Sequence, residues 1–341
     1  MRAWRMRAAG QIAAGLSLAA LAACTQPMPP SPTPVAVPAP APEATLPDVP
    51  ATPPREPSAM SRTMSRQLAE TEQSLKDRGL LRTDGGGQDT PYDARTLAEN
   101  FVRIALYDEF VPVSGALVAR ETASRLRRWE APVRISLVFG DSVPEAERAT
   151  DRATVAALTA RLAEASRHDI AMAETGGNMA VFVVNEDERL ALGPQLRAAV
   201  PGISGDVITA IRQMPGSTFC VVIALSSDKD PYVYRSAVAV IRAEHPPLLR
   251  KSCFHEEIAQ GLGLANDSPM ARPSIFNDDE EFALLTGQDA LMLRILYDPR
   301  LKPGMSAAEA LPIVQTIAQE LLPDQSAERA LPEGHEGPTE G

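Results

Sequence analysis

Apolar residues recur at two distinct periods through the middle of the chain. Between residues 94 and 107, Leu97, Phe101, Ile104 and Ala105 fall on one helical face. Residues 132–139 read as a strand. Residues 144–168 predict a long helix with Val155, Leu158, Leu162 and Ala165 turned inward. The unbroken apolar run 179–184 predicts a buried strand, and 189–200 a short helix. Residues 219–225 and 233–241 predict two further strands around a breaker-rich turn at 226–231. A helix over 248–262 is stopped by Gly263, and the last strong helix begins at Phe282 or Thr286 and ends at Tyr297. This mixture predicts an α+β domain with a small twisted sheet and long helices.

The segments on either side do not follow these periods. Arg2, Arg5 and Arg7 precede a short apolar run over residues 12–22, too short to span a bilayer comfortably and proportioned like a signal peptide. It ends in Leu21-Ala22-Ala23-Cys24, which resembles a bacterial lipobox with Cys24 as the lipidated residue. The alternative is an ordinary signal peptide cut nearby. Thr25, rather than an aspartate, follows the cysteine. That favours an outer-membrane anchor facing the periplasm over inner-membrane retention, and several acyl chains would make the anchor stable. Residues 25–57 are proline-rich and cannot bury a core, so they predict an extended spacer or, alternatively, a ligand for a proline-reading partner. The partition expected is a signal peptide (1–23), then lipidated Cys24 with tether and an exposed helix over 60–81 (24–92 in all). A globular domain (93–323) and a disordered acidic tail (324–341) follow.

Composition narrows the function. The 341 residues carry a formal net charge of −11, with no basic cluster to neutralise phosphates, so nucleic acid is not an expected partner. The expected partners are the membrane, through the lipid anchor, and other envelope proteins. Of the 3 cysteines, Cys220 and Cys253 remain after lipidation. An oxidising compartment predicts a disulfide between them, and two buried free thiols are the alternative.

The chemistry concentrates between Cys253 and Met305. Glu256-Glu257-x-x-Gln260-x-Leu262-Gly263-Leu264-x-Asn266-Asp267 is followed by Ser274-Ile275-Phe276-Asn277-Asp278 and by the stretch from Leu296 to Met305. These strings resemble the bacterial family catalogued as domain of unknown function 2927, and the likeness extends more weakly back to about Leu97. A more distant resemblance is to metzincin metalloproteases, whose H-E-x-x-H-x-x-G-x-x-H motif precedes a methionine turn. With Gly263 on the motif glycine, that resemblance implies a zincin-like (metzincin-type) fold. It places Glu256, Gln260 and Asn266 at the three metal-ligand positions and Glu257 at the catalytic base. Ser274-Ile275-Phe276 falls at the methionine turn, and residues 285–297 resemble the closing helix.

The i,i+4 spacing can aim two side chains at one ion, but no histidine stands at a ligand position. Neutral amide oxygens suit zinc poorly. Sliding the register to use His255 puts Ala259 at the second ligand. The acidic run 277–281 is expected to be a solvated face, with calcium as an alternative. The expectation is therefore a non-catalytic or degenerate zincin-like envelope lipoprotein without a cofactor. The competing reading is a divergent peptidase using a divalent metal and Glu257 as general base.

Overall fold

A computed structural model describes residues 56–113 and 116–323. Cys24, the signal segment, the tether as far as residue 55 and the tail 324–341 lie outside the described residues. α1 (Ala59–Asp77) and α2 (Ala94–Ala105) come first, each opened by a cap, Ser58 and Asp93, whose side chain accepts from a first-turn backbone N–H. A hairpin of β1 (Tyr107–Val113) and β2 (Ala116–Ala123) follows. The main sheet comprises β3 (Arg128–Trp129), β4 (Val133–Phe139), β5 (Ile170–Met172), β6 (Met179–Val184), β7 (Cys220–Ser227) and β8 (Asp230–Arg242). α3 (Glu145–Ser166) connects β4 to β5. α4 (Glu186–Ala191), α5 (Gly193–Ala199) and α6 (Gly205–Arg212) lie between β6 and β7. α7 (Pro247–Gln260), α8 (Gly287–Leu296) and α9 (Ala307–Leu321) close the domain.

The strands lie in the order β5-β4-β6-β8-β7, and β3 pairs with the first part of β8. All pairings are parallel except β7 with β8, a hairpin on the edge. β6 shows why its sequence is apolar throughout. Met179, Val181 and Val183 pack with the layer that includes Phe101, Leu158, Ile258 and Leu293 from α2, α3, α7 and α8. Ala180, Phe182 and Val184 pack with Leu196, Ile208 and Ile211 from α5 and α6. A parallel strand covered on both faces has no solvent side to mark with polar residues. The architecture is thus mixed α+β, a mainly parallel sheet between two helical layers. Among the described residues no helix is long and apolar enough to cross a membrane.

The turn after α7 is gripped from two directions. Trp129 Nε1 donates to Gly261 O at 2.8 Å, and the Tyr297 hydroxyl donates to Leu262 O at 3.0 Å. Gly263 has φ +124°, and a Cβ there would stand 2.3 Å from Arg127 O, so a side chain is excluded by both backbone and space. Cys220 on β7 and Cys253 on α7 form a disulfide, with Cα atoms 6.0 Å apart, which fastens the edge hairpin to the helix.

Two expectations need correction. The helix near residues 60–81 is not exposed all round. Met64, Leu68 and Leu75 of α1 are buried, Leu75 in a cluster with Leu249 and Ala283, because a narrow apolar stripe suffices to dock a mostly polar helix. The helix expected over 189–200 is two, interrupted at Leu192 ahead of Gly193-Pro194. The hairpin β1–β2, the short strands β3 and β5 and the helices α6 and α9 are additional elements.

Candidate functional site

α7 ends where the motif begins to matter, and its side chains there meet a loop folded back over residues 266–286. Gln260 is buried and donates through Nε2 to Asp267 Oδ1 at 3.0 Å. Asn266, 1% exposed, turns the other way. Its Nδ2 donates to Arg103 O at 2.9 Å and its backbone N to Ile104 O at 3.0 Å, pinning the loop to the end of α2. The carboxylate that meets Gln260 is therefore Asp267, one residue beyond the position expected from the spacing.

Asp267 lies near Asp278 and Glu280. Burial, reinforced by Asp278, pushes its carboxyl up to about 7, against the opposing Gln260 hydrogen bond. Glu280 is likewise pushed up to about 7 by burial and by Asp279 and Asp278. Such carboxyls share protons near neutrality. The acidic run is not uniformly a solvated face: Glu281 is buried and paired with Arg272 and Arg82, and Asn277 donates to Ala271 O at 2.9 Å.

Glu256 and Glu257 face the edge hairpin. One carboxylate oxygen from each, with Cys220 Sγ, lies within 4.8 Å of the others, Glu257 being buried and Glu256 half-buried. That sulfur is bonded to Cys253 and is no thiolate ligand. His255 is no ligand either. Its Nδ1 accepts from Leu285 N at 3.0 Å, and burial, with Lys251 and Arg161 nearby, pushes it down to about 3 and keeps it neutral. A zinc ion does not fit this donor set. Among the described residues no imidazole joins Glu256 and Glu257, the Cys220 sulfur is in a disulfide, and Gln260 and Asn266 offer only neutral amide oxygens, with Asn266 turned toward α2.

Ser274 and Phe276, at the position resembling the methionine turn, are fully buried. Ser274 Oγ donates to Asp289 Oδ1 at 2.5 Å. Asp289 Oδ2 accepts from Ile275 N at 3.1 Å and Thr286 N at 2.7 Å. Thr286 Oγ1 and Gln288 Nε2 both donate to Pro273 O at 2.9 Å, and Asn100 Nδ2 donates to Gln288 Oε1 at 3.0 Å. Burial raises the Asp289 carboxyl, while its three donors oppose that rise. This fully buried network fixes the loop against α8 and α2. The sequence reading did not single out Asp289 as a site residue, although Thr286-x-x-Asp289 carries the signature of a capping box.

Fold and site together define a mixed α+β domain with a mainly parallel sheet and a self-bonded acidic loop at the carboxyl end of α7. Residues 94–316 match the family described as protein of unknown function (DUF2927), and the chain belongs to that family. No curated protein and no solved structure matches it.

Proposed function

We propose that the chain is a non-catalytic, zincin-like envelope protein, lipidated at Cys24 and carried on its proline-rich tether at the periplasmic face of the outer membrane. The observation that carries the non-catalytic reading is the orientation of two residues at the positions that resemble metal ligands. Gln260 bonds Asp267, and Asn266 bonds the backbone of α2. In this reading the i,i+4 geometry fastens a loop instead of an ion. The zincin-like assignment is supported by α3 packed beside α7, the turn through Ser274 and Phe276, and α8 following that turn and packed on α3.

The competing reading, a divergent peptidase with Glu257 as base, draws on one observation: a buried carboxylate beside Glu256. The test is hydrolysis of unfolded casein by the full chain and by Glu257→Gln, with and without added divalent metal. The proposal expects no hydrolysis above background in either protein. Hydrolysis abolished in Glu257→Gln would establish the peptidase. The location is tested separately. Globomycin, or Cys24→Ala, should make the precursor accumulate, and normal processing with soluble release would contradict the anchor.

A further inference from the structure

The middle of α7 meets the edge hairpin through a constellation of its own. Cys253, Glu256 and Glu257 stand at i, i+3 and i+4, which places them on one face of the helix. That face looks onto the start of β7, where Cys220 lies. One carboxylate oxygen from each glutamate and the Cys220 sulfur lie within 4.8 Å of one another. The constellation shares its two glutamates with the string that resembles a metalloprotease motif. It does not use Gln260 or Asn266, which bond elsewhere.

In the oxidised chain this set offers a metal only carboxylate oxygens, because a sulfur held in a disulfide is no thiolate. Reduction changes the donors without requiring the elements to move. Cys220 is 9% exposed and Cys253 3% exposed, so an external dithiol reaches Cys220 first. Its thiolate attacks Cys220 Sγ. The bond between the two protein sulfurs breaks, and Cys253 leaves as a thiolate that takes up a proton. The reductant's second thiol then displaces Cys220 and closes a disulfide of its own. Two electrons and two protons pass to the protein, and two cysteine thiols result.

Two thiolates on one tetrahedral zinc ion stand about 3.8 Å apart, each about 2.3 Å from the metal. Cysteines whose Cα atoms are 6.0 Å apart can meet that separation by side-chain rotation alone. Glu256 and Glu257 complete a four-coordinate set of two sulfurs and two oxygens. Such a set favours zinc over calcium or magnesium, which take oxygen ligands. Binding displaces both thiol protons, so the cation meets four anionic donors. His245 Nε2 lies 3.7 Å from Cys253 Sγ, but it donates to Phe219 O and stays outside the set. Glu257 is buried and Glu256 half-buried, so an ion reaches the set from solvent past Glu256. We propose that Cys220, Cys253, Glu256 and Glu257 form a zinc-binding site that is opened by reduction of the disulfide and barred by its formation. The proposal does not depend on the role of Gln260 and Asn266. It leaves the oxidised chain without zinc, in keeping with the misfit described above.

The experiment is titration of the full chain in detergent with cobalt(II), a spectroscopic stand-in for zinc, before and after reduction with a phosphine. The reduced chain should take up one equivalent and show a thiolate-to-cobalt charge-transfer band that added zinc abolishes. The oxidised chain should show no such band. Cys24→Ser should behave as the wild type, and Cys220→Ser should lose the band. The paired changes Glu256→Gln and Glu257→Gln keep both cysteines and should weaken cobalt binding about tenfold or more. Near-ultraviolet circular dichroism, with the disulfide re-forming once reductant is removed, reports that each protein is folded. No band in the reduced chain, a band in the oxidised chain, cobalt affinity unchanged in the paired glutamine variant, or loss of the fold on reduction would overturn the proposal.

Discussion

At the carboxyl end of α7, Gln260, Asn266, Ser274 and Asp289 bond to one another's loop and to α2, whereas its amino end borders a cleft between α1, α3 and the β8–α7 junction, where Arg250 pairs with Glu147 and Asp151. The end with the more recognisable motif is the one whose hydrogen bonds close on themselves. The end with no motif borders the cleft. In the proposed reading, residues at metal-ligand spacing serve architecture, because the geometry that converges on an ion also converges on a loop.

The contrast can be broken most forcefully at its closed end. Asp289→Ala leaves Ser274 Oγ and two backbone N–H groups without an acceptor, and is expected to cost about 3–5 kcal/mol of unfolding free energy in urea. A cost below about 1 kcal/mol would mean that the loop is held by something else. Opening the disulfide with paired Cys220→Ser and Cys253→Ser changes is expected to cost about 3–4 kcal/mol, from a sequence separation of 33 residues. An unchanged denaturation midpoint would show that the edge hairpin needs no fastening.

On the cleft side, Leu68→Ala should cost about 2–4 kcal/mol, since Leu68 is 2% exposed. No effect would return α1 to the tether and leave the cleft without a wall. The smallest effect concerns pH. The Asp267 carboxyl is raised from 3.8 to about 7, so the folded state holds its proton more tightly than the unfolded chain. That stabilisation is fully present below the unfolded value and is lost as pH rises through the folded one. The wild type should therefore lose about 1–2 kcal/mol more than Asp267→Asn between about pH 5 and pH 8. His245 and His255, kept neutral by burial, act in the opposite direction as pH falls. Comparing wild type with Asp267→Asn cancels their contribution, and equal pH slopes would contradict a half-buried Asp267 that holds its proton in the folded state.

Much of the sheet is legible in the sequence, because β6 and the second half of β8 are unbroken apolar runs that only two-sided burial explains. α3, α7 and α8 are legible from their periods and stop signals. α9 is obscured by Pro312 inside it, although Ser306 and Glu309 form a capping box at its start. The buried face of α1 is masked by the polar residues around its few apolar positions. At the motif, spacing finds Gln260 but selects Asn266 over Asp267. Counting residues from Gly263 cannot say which of two neighbours a turn directs back toward the helix. The cleft has no motif to read: its walls come from three separate parts of the chain, joined only by α1 and α3 meeting the β8–α7 junction.

The central claim, that the carboxyl end of α7 is architectural, is tested most directly by elemental analysis of the full chain purified without chelator, beside Glu256→Ala and Gln260→Ala. The account predicts only substoichiometric zinc, manganese or other divalent metal in the wild type, unchanged in both variants. A stoichiometric metal ion in the wild type that is lost in either variant would contradict it.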